Sequence, residues 1–136
     1  MEKTISIAAE RLSPKRTTVE TEDGEFTVGQ EGSPLEYLLG SLAGCINVIG
    51  TLVADEMGFD IESMAIDIEG DIDSSRYLGE STEPSARFQN IRLEITVEAD
   101  ADQETLQEWL SQVGDRCPVA ENMQNGTNVS TTVKSA

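Results

Sequence analysis

No histidine occurs in the 136 residues of this chain, and that absence excludes several chemistries. A Ser–His–Asp triad, a Cys–His protease pair and a His-ligated zinc or iron centre all require imidazole. Any general base must be a carboxylate, a lysine or a tyrosine, and any nucleophile must be activated by other means. Cations are also scarce. Nine lysines and arginines stand against 26 aspartates and glutamates, a formal charge of −17. Lys3, Lys15 and Lys134 are the only lysines. Such a chain lacks the basic face that nucleic acid requires, and anionic membrane surfaces repel it. A carboxylate-rich surface poor in lysine fits adaptation to high salt, where screening relieves self-repulsion. Aromatic residues make up 4% and hydrophobic residues 38%, which is thin for a self-sufficient core. The apolar residues nevertheless fall in periodic runs, unlike those of a disordered chain.

A signal peptide is not expected, because Glu2, Lys3, Glu10, Arg11, Lys15, Arg16 and Glu20 interrupt any apolar core near the start. Two lone cysteines are not a disulfide scaffold, so the expected compartment is the cytoplasm. One stretch, Tyr37 to Ala54, carries no charge. It reaches the ~18 residues at which a helix becomes a candidate membrane span. Gly40, Ser41, Gly44, Asn47, Gly50 and Thr51 dilute it, and no positive residues flank it closely. It reads as a helix buried in protein, with no membrane partner. Being apolar nearly all round, it needs cover on every side. A chain of this length can hardly wrap it alone, which predicts a partner subunit. Gly40 and Gly44 form a GxxxG step that admits close approach of another backbone.

Repeats, linkers and low-complexity runs are missing, so a single domain over residues 1–136 is expected. Alternation at Ile5 and Ile7, at Thr17, Val19 and Thr21, and at Phe26 and Val28 predicts three strands, with Asp23-Gly24 as a hairpin turn. Ser33, Pro34 and Glu36 mark a helix start and Gly58 its end. Two longer strands follow. Ile66, Ile68 and Ile72 alternate with Asp67, Glu69, Asp71 and Asp73, and Leu93, Ile95 and Val97 repeat the pattern. Leu106, Trp109, Leu110 and Val113 mark an amphipathic helix, with Asp100 and Gln103 as its capping box and Gly114 as its C-cap. A short helix begins at Cys117-Pro118, and Val129, Thr131 and Val133 predict a closing strand. Strands and helices come in blocks, so the class is α+β with mostly antiparallel pairing.

The cysteines are the candidate reactive groups. Cys117, ahead of Pro118 at a helix start, is placed for its sulfur to meet unpaired backbone N–H groups, with Arg116 adjacent. Cys45 lies inside the apolar helix, where burial without a cation raises its pKa and leaves it inert. On local physics Cys117 is therefore the stronger nucleophile. The acidic row Asp67–Asp73 has strand alternation and lacks the glycine and terminal glutamate of a calcium loop, so it reads as a solvated face. The pattern calls for no metal and no cofactor.

Pro34-Leu35-Glu36-Tyr37-Leu38-Leu39-Gly40-Ser41-Leu42-Ala43-Gly44-Cys45 resembles the first cysteine segment of the OsmC/Ohr family, the osmotically inducible and organic hydroperoxide resistance proteins. Cys117-Pro118-Val119-Ala120 resembles its second. The resemblance implies antiparallel sheets packed around a long central helix in an intertwined homodimer. It also implies a thiol-dependent peroxidase that reduces organic hydroperoxides or hydrogen peroxide at the expense of a small dithiol. Carried over, Cys45 is the peroxidatic and Cys117 the resolving cysteine, which reverses the local ranking. The family's arginine falls in the N-terminal strands, where Arg16 matches best and Arg11 second. Its helix-start glutamate stands ten residues before the first cysteine. Leu35 occupies that place here, and Glu36 is the nearest glutamate. On an unbroken helix Glu36 would lie opposite Cys45 and ~13 Å along the axis, which resembles a divergent subgroup. The alternatives are a non-enzymatic ligand-binding member of the same fold and a redox sensor using the same cysteine pair.

Overall fold

The structure, a computed structural model, describes all residues from Met1 to Ala136. The chain divides into two compact units, residues 1–40 and 41–136. In the first unit, β1 (Ala8–Ser13), β2 (Arg16–Glu20) and β3 (Glu25–Val28) form an antiparallel sheet in the order β1-β2-β3. Val19 of the middle strand pairs with Ala9 on one side and Phe26 on the other and is buried. The turn at Asp23-Gly24 forms as expected. Thr21 N–H donates to the Gly24 carbonyl at 2.7 Å, and Gly24 N–H donates to Thr21 Oγ1 at 3.1 Å. The strand expected at Ile5 and Ile7 is displaced to β1, and both isoleucines are exposed outside it. The ladder explains the shift: Ala8 pairs with Glu20, the last residue of β2, so nothing earlier has a partner.

Helix α1 (Pro34–Met57) starts where Ser33, Pro34 and Glu36 place it. Ser33 N–H donates to Glu36 Oε1 at 3.0 Å and Glu36 N–H to Ser33 Oγ at 3.2 Å, a capping box with Pro34 inside the first turn. Tyr37 hydrogen-bonds the Thr27 carbonyl at 3.1 Å and stacks on Phe26, which fastens this turn to β3. At the other end, Phe59 N–H reaches the Ala54 carbonyl and Gly58 N–H the Asp55 carbonyl. This Schellman closure needs the left-handed backbone that Gly58 adopts at φ 86°.

In the second unit, β4 (Ile61–Ile72) and β5 (Phe88–Ala99) pair antiparallel, with each other only. Met64, Ile66, Ile68, Ile91, Ile95 and Val97 pack on the core, while the acidic row faces out; Leu93, expected on the core with Ile95 and Val97, is exposed instead. Arg92 bridges Asp71 at 2.6 Å and Glu69 at 3.4 Å, but Asp67 stands directly opposite Glu94. Helix α2 (Gln103–Arg116) is capped by Asp102, whose carboxylate accepts from Thr105 N–H at 2.8 Å. Asp100 is not the cap, because a cap must immediately precede the first helical residue. Gly114 lies inside α2 and does not end it, since the helix continues two residues further. Helix α3 (Pro118–Gln124) follows after one residue. The closing strand is also corrected. Val129, Thr131 and Val133 lie outside any ladder, and the two valines are exposed.

The core consists of Leu42, Ile46, Val53, Ala54, Trp109, Val113 and Cys117. Helix α1 is therefore covered on one face only within the chain. Val48 and Leu52 on its other side remain 66% and 47% exposed.

Candidate active site

Two helices deliver the sulfurs. On α1, Cys45 lies beside the buried stripe of Leu42, Ile46 and Val53 and is itself half-buried. On α2, Trp109 and Val113 are buried at four-residue spacing, and one more step of four reaches Cys117, 1% exposed. The same apolar seam thus carries Cys117 into the core. Pro118 then ends the helix. It disfavours helical backbone in the preceding residue, and Cys117 has φ −79° and ψ 110°. Cys117 is at once the C-cap of α2 and the N-cap of α3.

The two sulfurs lie 3.0 Å apart, within hydrogen-bond reach of each other. Both cysteines are free thiols. Closing a disulfide from there needs an approach of about 1 Å. Burial pushes the Cys45 thiol up, and the neighbouring Cys117 adds to the rise. The Val119 backbone amide, in the first turn of α3, opposes that rise. The free amide of α3 therefore serves Cys45, where the sequence had suggested Cys117. Val119 was missed, although Cys-Pro at a helix start signals that the next amide is unpaired.

Arg116, expected near the thiols, is held by Glu56 of α1 through two N–O contacts of 2.9 Å. The Glu56 carboxylate raises the guanidinium above its ordinary pKa, and Arg116 holds Glu56 low. Arg16 lies at the start of β2 opposite Ser13, and Arg11 in β1 opposite Thr17. Neither takes part in the ion pairs of the chain, which belong to Arg92 and Arg116. Glu36 is engaged in the capping box, and its Ser33 contacts pull its carboxyl below the usual range. Trp109 is a further residue not singled out for the site. Its Nε1–H donates to the Gly50 carbonyl at 2.8 Å and locks α2 against α1. A depression of about 440 Å³ near the end of α1, lined by Asn47, Thr51, Asp55, Asp60, Glu62 and Ser63, contains neither cysteine. No three His, Cys, Asp or Glu side chains are grouped to hold a metal ion.

The OsmC-like protein family model matches residues 27–132, a span that includes both cysteines. No curated protein matches the chain. Among solved structures, an OsmC-like protein from Mycoplasma pneumoniae superposes with a TM-score of 0.80 at 20% identity, covering 93% of this chain and 91% of that one. An organic hydroperoxide resistance protein OsmC from Legionella pneumophila gives 0.67 at 15% identity, covering 90% of each chain. An organic hydroperoxide resistance protein from Elizabethkingia anophelis gives 0.55 at 15% identity, covering 93% of this chain and 91% of that one. At these identities the likeness speaks for the fold.

Proposed function

The chain belongs to the OsmC-like family, and on that premise we propose that it is a thiol-dependent peroxidase reducing organic hydroperoxides or hydrogen peroxide. The observation that carries the proposal is the 3.0 Å contact between two free thiols, one half-exposed and one buried. A peroxide arriving from outside meets Cys45 first. The Cys45 thiolate attacks one peroxide oxygen, the O–O bond breaks, and Cys45 leaves as sulfenic acid with release of an alcohol. The Cys117 thiol then displaces hydroxide, which departs as water, and the S–S bond forms. A dithiol reductant restores both thiols and is oxidised to its own disulfide. Overall, ROOH and a dithiol give ROH, water and a disulfide. Two solved structures of the same fold are named organic hydroperoxide resistance proteins, which supports the substrate class.

Arg16 is proposed as the cation beside the thiolate and Glu36 as its orienting partner, both in the assembled protein. The assembly is a homodimer in the cytoplasm, with neither nucleic acid nor membrane as partner. The exposed Val48 and Leu52 face of α1, the open edges of β4 and β5, and the unpaired run at Val129–Val133 favour a second copy. The raised Cys45 thiol favours a second reading, a redox sensor that forms the disulfide without turnover. Peroxide consumption with a dithiol reductant decides between them. Cys45→Ser abolishes it. Cys117→Ser permits one oxidation and then stalls as the sulfenic acid over-oxidises. Wild-type protein that leaves hydroperoxides untouched with several dithiols would end the peroxidase reading.

A further inference from the structure

We propose that the Glu56–Arg116 ion pair is a positioning device for the thiol couple. It ties the end of α2 to α1 one residue before Cys117 and so sets the effective concentration of Cys117 at Cys45. The proposal deepens the peroxidase reading and rests on the two cysteines cycling through a disulfide. Cys117 makes no side-chain capping bond of its own, so its place depends on how the last turn of α2 is held. Two polar anchors add direction to the apolar packing of α2 on α1. The buried one, Trp109 on the Gly50 carbonyl, lies two turns before Cys117, about 12 Å along the axis. Val113 packs in the core between it and Cys117, a contact without directional bonding. The second anchor is the Arg116 fork, which grips both oxygens of Glu56 at 2.9 Å. A planar fork on a carboxylate fixes direction as well as distance.

The charge pattern of α1 gives an independent reason. Glu56 and Asp55 sit in the last turn, where the helix dipole disfavours acids, and no basic residue offsets them there. The carboxylate therefore works against its own helix and gains only by holding Arg116. Both side chains are partly exposed, 37% for Arg116 and 48% for Glu56, and such pairs add little to global stability. An effect on the thiol couple is then separable from unfolding.

The test equilibrates the wild type, Glu56→Gln, Arg116→Gln and the double variant with dithiol redox buffers at pH 7. Alkylation and mass spectrometry count the free thiols. Each single variant should lower the equilibrium constant for the Cys45–Cys117 disulfide about two- to fivefold, the range of an exposed pair. That raises its reduction potential by about 9–21 mV. The double variant should shift no further than either single one, and Arg116→Lys, which keeps charge but loses the fork, should fall between. The differences should shrink between about 0.1 M and about 2 M KCl. Should Glu56→Gln fail to fold, Glu56→Asp shortens the reach by one methylene and must move the potential in the same direction. Unchanged potentials, or additive single shifts, overturn the positioning role and leave the peroxidase reading standing. A wild-type pair that forms no disulfide overturns both.

Discussion

Replacing Gly50 by alanine should destabilise the protein although it improves helix propensity. Gly50 lies within α1, where alanine is ordinarily better by about 1 kcal/mol. A Cβ there would stand 2.7 Å from Trp109 Cζ2 and 3.4 Å from Met64 Cε. The indole must move, yet it is 2% exposed and tethered by its 2.8 Å hydrogen bond to the Gly50 carbonyl. Overpacking of this kind costs about 1–3 kcal/mol. A buried indole N–H torn from its acceptor costs about 1–3 kcal/mol more. Set against the propensity gain, the net loss is about 1–5 kcal/mol. Urea denaturation followed by the fluorescence of the single tryptophan measures it directly. Gly114→Ala is the control. It sits inside α2 with nothing within 4 Å of its added methyl, and should gain up to about 1 kcal/mol. If Gly50→Ala is as stable as wild type while Gly114→Ala behaves as expected, the Trp109–Gly50 lock does not hold the helices as described.

Light scattering in molar salt should give twice the chain mass, and Gly44→Leu, which adds bulk to an exposed site on α1, should drive it toward monomer; a stable wild-type monomer removes the homodimer. Melting temperature should climb from dilute to molar KCl, because Asp67 opposes Glu94 and Arg92 is already taken by Asp71 and Glu69. Asp67→Lys should flatten that profile, and a flat wild-type profile would withdraw the high-salt reading. Burial raises the folded pKa of Cys45 above the ordinary thiol value of 9.0, so its contribution is complete below that value and fades as pH rises beyond it. Comparing reduced wild type with Cys45→Ser by urea denaturation should show a steeper loss above pH 9 in the wild type, and equal slopes would refute the shift.

Much of the fold was legible because its signals are local. Ser33, Pro34 and Glu36 bound one end of α1 and Gly58 the other, since caps act within a turn of the residues they serve. The alternation of Ile66, Asp67, Ile68 and Glu69 gave β4 its faces for the same reason. The errors fall where structure depends on a distant partner. Ile5–Ile7 and Val129–Val133 alternate as well as any strand here, but alternation supplies no ladder, and neither segment finds one within the chain. The cap at Asp102 was a contest between two aspartates two residues apart, settled by Thr105 N–H.

The thiol site divides along the same line. That Cys117 enters the core follows from its phase with Trp109 and Val113, and that the chain turns there follows from Pro118. Both facts are written within nine residues. What Cys117 meets in the core is not local, because Cys45 arrives on another helix and only packing sets the sulfurs 3.0 Å apart. The electrostatics follow the packing. Arg116 was read as a neighbour of Cys117 because it precedes it in sequence, but in a helix adjacent side chains diverge by about 100°. The guanidinium turned instead to Glu56, and the amide that faces Cys45 came from Val119, beyond the proline. Sequence adjacency thus proposed an electrostatic partner for the thiol, while helix geometry assigned that arginine to hold the backbone that bears it.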